Sequence, residues 1–326
     1  MDKRQRPQVV VSKCIGFDAC RYNGQTLPDK FVDKLKDYVD YYPVCAEVEI
    51  GLGVPRNPIR LVMDEAGATV LYQPASDSEY TQAMIDFGEV YFDRLEAVDG
   101  FILKGRSPSC GIKDVKVYLG KTKVAGSVKG QGIFAAQAFK RYPHAAIEEE
   151  GRLTNFRIRE HFLTKLYTMC SFRQVAKAAT MAALVKFQAD NKYLLMAYSQ
   201  KEQKVLGQIV ANHEKLVFDQ VIKHYKEHLG KAFIRIPRYR NYVNVMMHIF
   251  GYFSDSLSSG EKTFILDSFE KYRNGKIPLS VPLNVLKTYV IRYNEGYLLE
   301  QTIWAPFPEE LMDLSDSGKM EDLVDP

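Results

Sequence analysis

The sequence predicts an α/β fold: an N-terminal doubly wound, mostly parallel sheet, followed by an all-α C-terminal domain. Three observations carry this. Short β-branched or apolar runs alternate with helix-period segments over the first 150 or so residues. Beyond them the helical period is almost uninterrupted. Four of the five cysteines, Cys14, Cys20, Cys45 and Cys110, fall in the N-terminal part, beside turn residues. The stretch EEEGRL, Glu148 to Leu153, separates the patterns and divides the chain into 1–153 and 154–326.

The elements follow in order. Val9 to Ser12 is β-branched and reads as a first strand. Gly16, Asp18 and Asn23-Gly24 make the next segment a loop. Asp29 to Tyr42 has a helical period with Pro28 at its start. Cys45 and Glu47 then lead into a Gly/Pro-rich loop. Ala68 to Tyr72 reads as a strand, Asp77 to Leu95 as a helix and Val98 to Lys104 as a strand. Next comes KGRSPSCG, where Pro108 stops strand and helix alike and sets Cys110 on a tight, exposed turn. Gly130 to Tyr142 reads as a helix. In the second domain the helices are Asn155 to Asp190, Ser199 to His228, Asn241 to Phe253, Ser259 to Tyr272 and Val281 to Tyr293.

At 326 residues the chain can hold two cores. No apolar run is long enough for a membrane span, and Val9-Val10-Val11 is too short for a signal-peptide core. A cytoplasmic, non-membrane protein is expected, and in that compartment the cysteines are not a disulfide framework. The net charge is only +4, but residues 151–304 hold 23 Lys and Arg against 12 Asp and Glu. The segment beyond Trp304 is acidic. A basic domain closed by an acidic tail points to a polyanionic partner.

Cys14, Cys45 and Cys110 each adjoin a predicted strand, and such loops converge at one edge of a doubly wound sheet. Three thiolates there can hold an iron–sulfur cluster, or zinc with an open position; buried structural cysteines are the bland alternative. Cys20 is a fourth ligand, a support or a core thiol, and Cys170 on a helical pattern reads as core.

The segments CIGFDACRYNG, PVCAEVEIGLG with the following PR and P, LKGRSPSCG and EEEGRL resemble the motifs of the thiouracil desulfidase domain over most of residues 8–153. The resemblance implies a 4Fe–4S cluster held by Cys14, Cys45 and Cys110, its fourth iron open to the sulfur of a thiolated uracil. It implies Glu47 and Ser107 as catalytic residues. The family usually has Cys-Pro-Glu at the second segment; here Ala46 replaces the proline and keeps Cys45 and Glu47. Residues 155–304 resemble a second family, the YbgA-like helical domain, through KFQADNKYLLMAYS, NVMMHIFGYF and TIWAPFPEEL. Both domains in this order resemble bacterial tRNA 4-thiouridine desulfidases. That implies non-redox, hydrolytic sulfur removal from 4-thiouridine in tRNA. The alternatives are the same chemistry on free thiouracil, and a non-enzymatic cluster-bearing nucleic-acid-binding protein.

Each candidate has a plainer reading. Glu47 could be a solvated loop charge and Ser107 a turn-capping hydroxyl. Gly130 to Ala135 fits G-x-G-x-x-A before a helix, a dinucleotide or phosphate signal, or simply close helix–sheet packing. Arg235, Arg238, Tyr239 and Arg240 form a basic, aromatic-interleaved loop suited to phosphates and bases, or a solvated charge run. His248 in an apolar helix reads as a core histidine.

Overall fold

The computed structural model describes residues 6–122 and 126–312. The first five residues and the acidic tail from Asp313 onward lie outside the described residues. The chain forms two compact units, residues 1–170 and 171–326.

The first unit holds β1 (Gln8–Ser12), α1 (Lys30–Leu35), β2 (Asp40–Val44), α2 (Ala46–Glu49), β3 (Arg60–Met63), β4 (Thr69–Gln73), β5 (Ser78–Glu79), α3 (Thr81–Asp93), β6 (Gly100–Leu103), β7 (Val115–Tyr118), β8 (Ser127–Gly130), α4 (Ile133–Arg141) and β9 (Ala146–Glu149). A four-stranded sheet runs β2-β1-β6-β9 with every pair parallel. The order reverses between β1 and β6, and their carboxyl ends flank a switch point. Val9, Val10 and Val11 and Phe101, Ile102 and Leu103 are buried without alternation, as strands covered on both faces must be.

The strand read at Ala68 to Tyr72 is β4, but it belongs to a second, mixed sheet ordered β5-β4-β3-β7-β8. One core joins the two sheets and the helices: Val10, Phe101 and Leu103 pack with Leu61, Leu71, Val117, Phe92 and Phe134. Phe92 and Phe134 stack with centroids 4.9 Å apart. Burying an aromatic of this size contributes about 1.5–3 kcal/mol.

The helix expected over Asp29 to Tyr42 is short. Asp29 caps it through a 2.9 Å bond from the Val32 amide, and it ends at Leu35. Asp40 to Val44 instead pairs with β1 along its whole length, so sheet hydrogen bonding overrides the helical period. Gly130 belongs to β8, and α4 starts at Ile133.

Helix α5 (Phe156–Ala178) starts within the first unit. There the Tyr167 hydroxyl donates to Tyr38 O at 3.2 Å, and Leu166 lies where a Cβ on Gly100 would stand. The second unit continues with α6 (Met181–Asp190), α7 (Lys192–Tyr198), α8 (Gln200–Ala211), α9 (Phe218–Ala232), α10 (Tyr239–Phe250), α11 (Ser259–Arg273), α12 (Ser280–Arg292) and α13 (Gly296–Leu299). Two long helices expected from the sequence are each divided. Ala179 at φ +52° and the Thr180 cap separate α5 from α6. Asn212, left-handed at φ +44°, closes α8. Among the described residues no helix is long and apolar enough to cross a membrane.

Candidate active site

The loops after β1, β2 and β6 surround a cavity of about 490 Å³. Cys14 lies two residues past β1, Cys45 directly after β2, and Cys110 on the 104–111 loop after β6. All three line the cavity, and Cys20 joins them. Cys45 is half-buried and the other three are buried. The Cys45 thiol donates to Cys20 O at 3.8 Å. Burial pushes the Cys14 thiol up to about 11 and the Cys20 thiol up to about 12, with Cys45 reinforcing each. Burial also drives Cys110 well up, against a hydrogen bond with Ser12. A thiolate is poorly solvated in such a wall, and a bound cation inverts that preference.

Among the described residues no group of three or more Cys, His, Asp or Glu side chains is arranged to hold a metal ion. Thiolates are the donors that an iron–sulfur cluster takes, and the thiols on this cavity fit that chemistry. Thiols round a cluster stand farther apart than those round one ion.

Glu47 and Ser107 share the cavity wall with the thiols. Glu47 is no solvated loop charge. Its Oε2 accepts from Arg56 Nε at 3.0 Å and Nη2 at 2.6 Å; its Oε1 accepts from Ser109 Oγ at 2.9 Å and Ser107 Oγ at 3.3 Å. The Arg56 side chain is only 4% exposed and also donates to Cys20 O and Gly53 O. Ser107 caps its turn as well, its Oγ accepting from the Ser109 and Cys110 amides at 3.2 and 3.1 Å. Arg56 and Ser109 escaped the sequence reading; the arginine stood in the quoted PR with no role given.

Cys110 is 7% exposed, not on an exposed turn. Helix α4 covers it. A Cβ on Gly132 would stand 2.5 Å from Ser109 O and 2.9 Å from Cys110 N. The Ile133 and Ala135 amides donate to Pro108 O and Ser109 O. The G-x-G-x-x-A segment is therefore packing: the amides that would meet a phosphate are taken by the cysteine loop. Gly132→Ala is expected to cost about 1–3 kcal/mol through overpacking, read by denaturant unfolding. Parent stability would show that the loop shifts freely.

The EEEGRL stretch also secures this loop. Glu149 Oε1 accepts from the Ile112 amide at 2.8 Å, and Glu150 Oε2 from the Gly105 amide at 2.8 Å. Lys104 pairs with Glu150, and its amide donates to Ser12 Oγ at 2.9 Å. In sequence these carboxylates read as a domain boundary and as part of a family motif, with no role of their own.

In the second unit Arg235, Arg238 and Arg240 are exposed. Tyr239 is half-buried, its ring edge-on to Tyr272 at 5.2 Å, so it packs α10 on α11. His248 is exposed in the last turn of α10, contrary to the core position expected. Cys170 is buried and does not line the cavity.

The 2-thiouracil desulfurase family matches residues 9–150, and a protein family of unknown function, DUF1722, matches residues 192–308. The chain is 30% identical over 135 residues to the uncharacterized protein YbbK of Bacillus subtilis (strain 168), covering 39% of this chain and 87% of YbbK. It is 29% identical over 140 residues to the uncharacterized protein YbgA of Escherichia coli (strain K12), covering 43% of this chain and 82% of YbgA. A solved structure of the 4Fe-4S-dependent thiouracil desulfidase TudS aligns at 23% identity and TM-score 0.36, over 46% of this chain and 94% of that one. The chain belongs to the 2-thiouracil desulfurase family through residues 9–150 and carries a DUF1722 domain at residues 192–308.

Proposed function

We propose that the chain removes sulfur hydrolytically from a thiolated uracil, with Cys14, Cys45 and Cys110 holding a 4Fe–4S cluster. The observation that carries this reading is one cavity lined by thiols, a carboxylate and a hydroxyl, within the segment matched by the family. The bound cluster would supply a thiophilic Lewis acid for the thiocarbonyl sulfur. The reaction replaces C=S by C=O and releases sulfide, with water as the only co-reactant and no net redox change.

The chain's own residues handle the protons. A carboxylate offers about four lone-pair sites, and Glu47 has Arg56 on two and Ser107 and Ser109 on the others. The Ser107 contact is the longest. A water in the cavity can pass its proton to the Ser107 oxygen as the serine proton moves to Glu47, a general-base relay. The amides of Ser109 and Cys110 hold the hydroxyl in line. Arg56 fixes the carboxylate, and Val44, Pro58 and Ile59 offer the ring an apolar wall.

Free thiouracil is the substrate that the family favours. A second reading, 4-thiouridine in tRNA, is motivated by the excess of Lys and Arg in residues 151–304 and by the exposed Arg235, Arg238 and Arg240. Sulfide release by the iron-loaded full chain on 2-thiouracil, 4-thiouracil and 4-thiouridine-bearing tRNA tests both. Turnover of the free bases is expected; none on any of the three substrates would end the desulfidase reading. If tRNA is the better substrate, neutralising the three arginines should weaken its binding and make the salt slope shallower by about one for each phosphate no longer neutralised.

A further inference from the structure

We propose that Cys20 is a resolving thiol for Cys45: in the chain without iron, a peroxide oxidises Cys45 and Cys20 closes on it as a disulfide. Of the four thiols on the cavity, Cys45 alone is half-buried, so a small oxidant reaches it first. Its thiol donates to Cys20 O at 3.8 Å, which sets the two residues side by side on the cavity wall. Arg56 fixes this neighbour by donating to Cys20 O at 2.9 Å and Gly53 O at 3.0 Å. The three-thiol cluster proposed above leaves Cys20 outside the ligand set.

The chemistry balances in two steps. The Cys45 thiol and hydrogen peroxide give a sulfenic acid and water; the peroxide gains two electrons and the sulfur loses them. The Cys20 thiol then attacks the sulfenic sulfur, forming the S–S bond and releasing a second water. Without a resolving thiol a second peroxide takes the sulfenic acid to sulfinic acid, releasing water, and a thiol cannot reverse that. The disulfide withholds Cys45 until a dithiol frees it. This redox step involves the thiols alone and stands whether or not the chain desulfurates uracils.

The test uses the full chain, stripped of iron by a chelator under nitrogen and treated with one equivalent of hydrogen peroxide. Free thiols are then alkylated, and the protein is digested without reduction for peptide mapping. The expected result is loss of two of the five free thiols, one cross-linked pair carrying Cys20 and Cys45, and full reversal by dithiothreitol. In Cys20→Ser two equivalents of peroxide, one for each oxidation step, should convert Cys45 to sulfinic acid. A cross-link from Cys45 to Cys14 or Cys110, a disulfide between chains, or sulfinic acid at Cys45 in the parent chain would each overturn the proposal. Mapping the parent chain decides the matter even if the variant does not fold.

Discussion

Glu47→Gln is expected to lower sulfide release by about 100- to 10,000-fold while iron content and visible absorbance stay at the parent level. The amide oxygen can still accept from Arg56, with its NH2 turned to the serine oxygens as a donor, but the side chain cannot take a proton. Alanine is the wrong substitution, because the Arg56 side chain, 4% exposed, would lose its carboxylate partner inside the wall. Removing one member of a buried ion pair costs about 3–5 kcal/mol, so a dead alanine variant would not separate chemistry from collapse. Sulfide release and thermal unfolding, measured together on the glutamine variant, make that separation. Parent turnover would show that another group receives the proton.

Cys110→Ala is expected to abolish iron retention and, with it, all turnover. Cys110 is buried on a loop pinned by Gly132, Glu149 and Glu150, which fixes where its sulfur stands. Cys170→Ala is the matched control: its thiol is also buried but does not line the cavity, and iron should be kept. Iron content and the visible spectrum after anaerobic reconstitution give the answer. A coloured, iron-replete Cys110→Ala protein would remove Cys110 from the ligand set.

The thiol loops were legible in the sequence because glycine, proline and asparagine mark where β1, β2 and β6 must end. The second sheet was not. Two of its strands, Ser78–Glu79 and Ser127–Gly130, are short and polar, and they are strands only because β4 and β7 supply partners. The clamp on the cysteine loop was hidden for a related reason. A run of three glutamates looks like solvated surface, and nothing local reveals that Glu149 meets an amide 37 residues earlier. Arg56 was overlooked because a Pro-Arg dipeptide in a loop gives no sign of being buried. Asp40 to Val44 misled through periodicity, since its tyrosines also continue the helical spacing of α1.

The clamp also sets a schedule for biosynthesis. Ser12 meets Lys104 across 92 residues, and Glu150 meets Gly105 across 45. While the ribosome is still short of β9, Cys14 and Cys45 already exist, but the loop bearing Cys110 has no carboxylates to fasten it. The cavity is finished only when Glu149 and Glu150 have left the exit tunnel and docked. On the reading proposed above, iron delivery would belong to the end of this unit's synthesis, when the second unit is already being translated.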